Sequence, residues 1–175
     1  MADRNQQHMT ARLMVVMGVA GCGKTTIGRA LADVLGGQFL DGDAFHPPGN
    51  IHKMSYGIPL TDDDRWPWLE RFAIEMAKLD GMVVGGCSAL RRSYRDHIRS
   101  ALGEPVIFIH LTGSRELIAS RMAKRTGHFM PTSLLESQFE TLEAPDRSEN
   151  AITVDISPTT ARIVDDISAK LATTK

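Results

Sequence analysis

The stretch Gly18-Val19-Ala20-Gly21-Cys22-Gly23-Lys24-Thr25 constrains this chain more than any other, because it fits G-x-x-x-x-G-K-[ST], the loop that cradles phosphate groups. Successive backbone N–H groups must turn inward around phosphate oxygens, which calls for positive φ and for positions without a Cβ. Lys24 is placed to reach the β- and γ-phosphates and Thr25 to offer its hydroxyl to Mg²⁺. The flanks agree with the motif. Leu13-Met14-Val15-Val16-Met17 is a continuous apolar run, as a buried parallel strand requires, and Ile27, Ala30, Leu31, Val34 and Leu35 follow at helical spacing. A loop between a strand and a helix N-terminus is a ready anion site.

The rest of the chain has to explain what receives the phosphate. A length of 175 residues suits one domain with a real core. A net charge of −1 gives no overall field for nucleic acid or an anionic membrane, so any anion site is a local cluster. No apolar run approaches the length of a membrane span. Residues 1–11 are mostly polar and lack the apolar segment of a secretory signal, so they read as a flexible tail ahead of a single domain over 12–175, with a cytoplasmic location expected. Cys22 and Cys87 lack the number and spacing of a metal site or disulfide framework and read as reduced thiols.

Strand and helix patterns alternate along the chain. Gln38-Phe39-Leu40 runs into Asp41-Gly42-Asp43; on an extended backbone both carboxylates face one side, at the open end of a strand. From 44 to 63 the text is irregular and reads as a long structured loop with room for one short helix. Asp64 then reads as the N-cap of a helix to Leu79, with Pro67 in its first turn. Met82-Val83-Val84, Val106-Ile107-Phe108-Ile109 and Ile152-Thr153-Val154-Asp155-Ile156 are further strands. Helices are expected over about 90–102, from Ser114 to the cations Arg121, Lys124 and Arg125, over 133–142, and along Ile163, Val164, Ile167 and Leu171. The fold class is therefore α/β: a five-stranded parallel sheet with helices on both faces, in three layers. Ligands bind beyond the carboxyl ends of such strands, where the phosphate loop, Asp41/Asp43 and the segment after Cys87 converge.

Two arginine clusters carry more information than their charge. Arg91, Arg92 and Arg95 crowd the first turns of a helix, where the dipole disfavours cations unless an anion compensates. Arg121 and Arg125 lie four apart, and Gly127-His128 breaks the chain after them, which predicts a small helical lid over about 121–142 that closes on a bound nucleotide. Asp41 and Asp43 beside a Mg²⁺-nucleotide suit phosphoryl transfer, either holding metal-bound water or orienting an acceptor hydroxyl. Asp62-Asp63-Asp64 reads as a solvated helix entry.

Taken together, Gly18 to Thr25, Phe39-Leu40-Asp41-Gly42-Asp43, His46-Pro47, Asn50, Lys53-Met54, Gly57, Pro59-Leu60, Asp62, Asp64-Arg65, Pro67-Trp68-Leu69, Cys87-Ser88-Ala89-Leu90, Tyr94-Arg95 and Gly127-His128-Phe129 resemble the bacterial gluconokinase family. The resemblance runs in order from about Leu13 to Pro145, and its middle block is far more specific than the phosphate loop. It implies a P-loop kinase fold of the nucleoside-monophosphate and shikimate kinase type, ATP-dependent phosphorylation of D-gluconate at the 6-hydroxyl, and a homodimer. On that reading Gly18, Val19, Ala20, Gly21, Cys22, Gly23, Lys24, Thr25 and Thr26 bind ATP, and Thr25 and Asp41 hold Mg²⁺. Asp43 orients or deprotonates the acceptor, while Lys24, Arg121 and Arg125 clamp the transferring group. Gluconate carries one carboxylate and several hydroxyls, so Arg65, Arg91 and Arg95 suit the first and Asp43, His46 and His128 the second. Adenine is expected against the Arg121 helix and Ser157, Pro158 and Thr159. The family often has Lys where Arg91 stands, which changes the donor geometry.

Rival readings differ at named residues. A shikimate-kinase-like site shares the phosphate loop and paired Asp, but Gly85-Gly86 here is followed by Cys87-Ser88-Ala89 instead of another glycine. A nucleoside monophosphate kinase needs a base pocket, and a guanine-binding switch needs an N-K-x-D or T-K-x-D signature; neither is evident.

Overall fold

The computed structural model describes residues 11–125 and 133–174. The tail expected over 1–11 lies outside them except for Ala11, which is 5% exposed and packs into the core.

The elements run β1 (Leu13–Met17), α1 (Lys24–Leu35), β2 (Gln38–Asp41), a 3-10 turn (Gly42–Phe45), α2 (Pro48–Ser55), α3 (Asp62–Ala77), β3 (Val83–Gly86), α4 (Arg92–Leu102), β4 (Val106–Thr112), α5 (Arg115–Ala123), α6 (Ser133–Thr141), β5 (Ala151–Asp155) and α7 (Thr160–Thr173). The five strands form one sheet in the order β2-β3-β1-β4-β5, and every pairing is parallel. The period of two along a strand divides the core. Met14 and Val16 face a layer with α1, α5, α6 and α7 through Ile27, Leu31, Ile118, Leu135 and Ile167. Leu13, Val15 and Met17 face α3 and α4 through Leu69, Phe72, Tyr94 and Ile98. The strand order reverses about β1, which places the phosphate loop at the sheet's switch point.

Several boundaries move for physical reasons. β4 extends past the apolar run to Thr112, because His110 is buried at 4% exposure although its polarity breaks the pattern. Thr61, not Asp64, caps α3: the Thr61 hydroxyl accepts from Asp64 N (3.2 Å) while the Asp64 carboxylate accepts from Thr61 N (2.8 Å), a reciprocal capping box. α4 begins at Arg92 with Arg91 as its N-cap, so Leu90 lies outside the helix. The irregular stretch holds a short helix, α2, begun by Pro48 at a tolerated position.

Candidate active site

The phosphate loop has the backbone its glycines allow. Gly21 and Gly23 sit at φ 81° and 98°, where a Cβ would be strained, and Gly23 leads directly into α1. The loop is anchored to the end of β3, with Gly18 N donating to Ser88 O (3.2 Å). The Lys24 ammonium donates to the Gly18 and Val19 carbonyls, each at 3.1 Å, and so lies across the mouth of the loop. Val19, Ala20, Gly21 and Cys22 are buried, Thr25 is half-buried and Thr26 is exposed. Both cysteines are free and buried, and burial pushes the Cys87 thiol up to about 12, which keeps it inert.

A cleft enclosing about 840 Å³, its open mouth included, lies against this loop. It is lined by Ala20, Gly21, Gly23, Lys24 and Thr25 of the loop and its helix, by Asp43, His46, Arg65 and Trp68, by Ser88 and Leu90 after β3, and by Arg125 and Gln138. The structure therefore brings Lys24, Thr25, Asp43, His46, Arg65 and Arg125 together.

Asp41 and Asp43 separate where the sequence placed them side by side. β2 ends at Asp41 and the 3-10 turn begins at Gly42, so the two residues do not share a strand face. Asp41 caps that turn, accepting from Asp43 N (3.0 Å), and its other oxygen lies 3.5 Å from the Thr25 hydroxyl. Asp41 is thus outside the cleft wall and Asp43 inside it. The Thr25 and Asp41 oxygens are hard donors beside a phosphate loop, a set that suits Mg²⁺, which takes few protein ligands and completes its shell with phosphate and water.

His46 is 8% exposed, stacked on the Trp68 ring at 3.9 Å between centroids. Burial first, and the nearby Arg65 second, lower its pKa to about 4, so the ring is neutral at physiological pH. Trp68 is itself fixed by its indole N–H donating to Gly42 O (2.8 Å). A Cβ on Gly42 would stand 2.4 Å from Gly86 O, so only glycine lets the turn approach β3 this closely.

Arg65 and Arg91 flank Tyr94, their guanidinium carbons 5.1 and 5.9 Å from the ring centroid. Asp62 sits between them, 3.9 Å from Arg65 and 3.7 Å from Arg91, and accepts from the Tyr94 hydroxyl at 2.5 Å. The acidic run is therefore not merely solvated: Asp62 partners the cation fork, and Asp64 pairs with Lys53 at 2.7 Å, which lowers its pKa to about 2. Arg91 is outside the cleft wall.

Two expected site residues are held elsewhere. Arg95 has no exposed surface; its guanidinium donates to both Glu149 oxygens (2.7 and 2.8 Å) and to the carbonyls of Ala89 and Leu90 (3.0 and 3.2 Å). It braces the segment after β3, where Ala89 adopts φ 44°, and does not line the cleft. Arg121 donates to Ile156 O (2.8 Å) and is likewise absent from the cleft wall; it braces the segment after β5, beside Ser157. Gly127-His128-Phe129, and with them the His128 contact, lie outside the described residues.

Gln138 on α6 had drawn no attention in the sequence, being a lone amide in a short helix. Its side-chain oxygen accepts from Ala20 N (2.6 Å), joining the expected lid directly to the phosphate loop. Glu143, just beyond, accepts from Arg92 N (2.9 Å) at the unsatisfied start of α4.

The chain is similar to known proteins over most of its length. The family model for shikimate kinase matches residues 20–172. A gluconokinase of Gluconobacter oxydans is 48% identical over 152 residues, 85% of each chain, and the thermosensitive gluconokinase of Escherichia coli is 45% identical over 164 residues, 90% of this chain and 86% of that one. The chain belongs to the gluconokinase family, of the P-loop kinase type. A gluconokinase crystal structure from Sinorhizobium meliloti superposes with a TM-score of 0.82 at 51% identity, covering 91% of each chain.

Proposed function

We propose that this chain transfers the terminal phosphoryl group of ATP to the 6-hydroxyl of D-gluconate, giving 6-phospho-D-gluconate and ADP. The observation that carries the reading is the single cleft in which the phosphate loop faces Asp43, His46 and Arg65. Lys24 and the loop N–H groups hold the β- and γ-phosphates, and Arg125 at the rim offsets charge on the transferring group. Thr25 and Asp41 would hold Mg²⁺, which would supply charge neutralisation at the phosphates. Asp43 accepts or orients the proton of the attacking hydroxyl. Arg65, with Arg91 behind it, attracts the carboxylate of the sugar acid. The 121–142 lid and a cytoplasmic location, both read from the sequence pattern, and the homodimer, implied by the family resemblance, belong to the same proposal.

Coupled ADP release with Mg-ATP and a panel of gluconate, shikimate, AMP and other sugar acids tests it. Turnover with gluconate far above the rest is expected; a stronger preference for another acceptor overturns the reading. Asp43→Asn should lower kcat by about 10²–10⁴-fold while sparing ATP binding.

A further inference from the structure

The buried imidazole of His46 has two nitrogens, and its surroundings decide which one carries hydrogen. Asn50 on α2 is 5% exposed; its side-chain nitrogen lies 3.0 Å from Asp64 O and 3.2 Å from His46 Nδ1. A backbone carbonyl only accepts, so the Asn50 atom beside it is the NH₂ group, and that group's second hydrogen is directed at the ring. Nδ1 is then the bare acceptor and the hydrogen of the neutral ring sits on Nε2. Nε2 lies 3.9 Å from Asp43 Oδ1, beyond hydrogen-bond reach, in the wall that both residues give the cleft. Stacking at 20° on Trp68 keeps the ring from tilting.

We propose that Asn50 is a positioning residue that locks His46 as the Nε2–H tautomer, so that the imidazole donates a hydrogen bond to an acceptor-substrate oxygen instead of taking its proton. The proposal rests on the kinase reading above and names how its acceptor is held. A hydroxyl that accepts from His46 has its own hydrogen left for Asp43, so the two side chains together orient it. The charged groups around the ring are Asp41 at the end of β2, Asp43 in the 3-10 turn, Arg65 on α3, and the Lys53–Asp64 pair joining α2 to α3. Burial and Arg65 outweigh Asp41 and keep the ring uncharged near neutral pH, where the choice of tautomer has consequences.

Long-range ¹⁵N–¹H NMR of the histidine rings in the full chain between pH 6 and 8 reads the tautomer directly. The expected result for His46 is a protonated Nε2 and a bare Nδ1 throughout. Asn50→Asp replaces the donor by an acceptor; it should move the hydrogen to Nδ1, raise the gluconate KM about tenfold with the Mg-ATP KM within about twofold, and add an ionisation between about pH 5 and 7.5 to kcat/KM. An Nδ1–H or doubly protonated ring in the parent protein at pH 7 overturns the proposal, and so does a folded Asn50→Asp variant with unchanged tautomer and KM. If that variant does not fold, the parent spectrum decides alone. A wrong acceptor assignment shows itself separately, as absent gluconate turnover in the parent with the spectrum unaltered.

Discussion

Arg91/Arg95 at the start of α4 and Arg121/Arg125 at the end of α5 are both pairs spaced four apart, and in both the partners part company. Each pair straddles a helix terminus: Arg91 is the N-cap of α4, and Arg125 follows Lys124, the C-cap of α5. Spacing of four puts side chains on one face only while both residues are helical. The inner members, Arg95 and Arg121, are bound to protein acceptors, Glu149 and Ile156 O. The outer members are not held this way: Arg125 lines the cleft, and Arg91 lies outside it, beside Asp62 and Tyr94. The pairs differ in the acceptor inside. Arg95 meets a buried carboxylate and has no exposed surface, whereas Arg121 meets one carbonyl and stays half-buried.

The sharpest way to break this contrast is Glu149→Gln, which leaves the Arg95 cation buried without its counter-charge. A loss of about 3–5 kcal/mol is expected, read as a fall of about 10 °C in Tm, with kcat per folded molecule retained. Arg125→Ala should instead leave Tm within about 2 °C and lower kcat about 10²-fold, a split that a thermal melt and a steady-state assay resolve together. Arg91→Ala should raise the gluconate KM about tenfold, and Arg91→Lys by less, because the lone ammonium keeps the charge but loses the planar fork. Arg121→Ala should cost about 1 kcal/mol of stability, the worth of a single hydrogen bond.

Acid titration examines the inner pair alone. The Arg95 hydrogen bonds, followed by those of Arg99, hold the Glu149 carboxyl down at about 2 against an ordinary value of 4.5. A depressed carboxylate stabilises the fold fully above the unfolded value and loses that contribution as pH falls toward the folded one. The stability gap between the parent and Glu149→Gln should therefore be constant above about pH 5 and shrink steadily toward pH 2; a pH-independent gap would show that Glu149 acts through packing alone.

The framework was legible because it is periodic. Apolar runs gave the strands, helical spacing the layers, and the glycines of the phosphate loop its position at the switch point. The acceptor half was legible as a resemblance, with its residues named but not yet arranged. What stayed hidden depends on partners distant in sequence. The uncompensated arginines at the start of α4 did announce a missing anion, but Glu143, Asp146 and Glu149 supply it from the segment before β5, and no local pattern marks them. Gln138 was silent for the same reason, and Asn50 was named by the resemblance without a role, since an amide acquires its role only from the atoms set against it. Thr61 was readable, for Thr-x-x-Asp is a capping signal in which the Asp belongs at N3, although by residue type alone Asp64 resembles a cap itself.

The strand at the centre of the sheet also fixes the order in which the chain can be completed. Leu13 on β1 pairs with Val83 on one side and Val106 on the other, so the phosphate loop's own strand emerges well before both of its neighbours and stays without them until they follow. Parallel pairings over such separations form slowly, and the apolar edges of β1 remain exposed meanwhile. The segment that binds nucleotide in the finished kinase is thus also the one most in need of protection before β3 and β4 arrive.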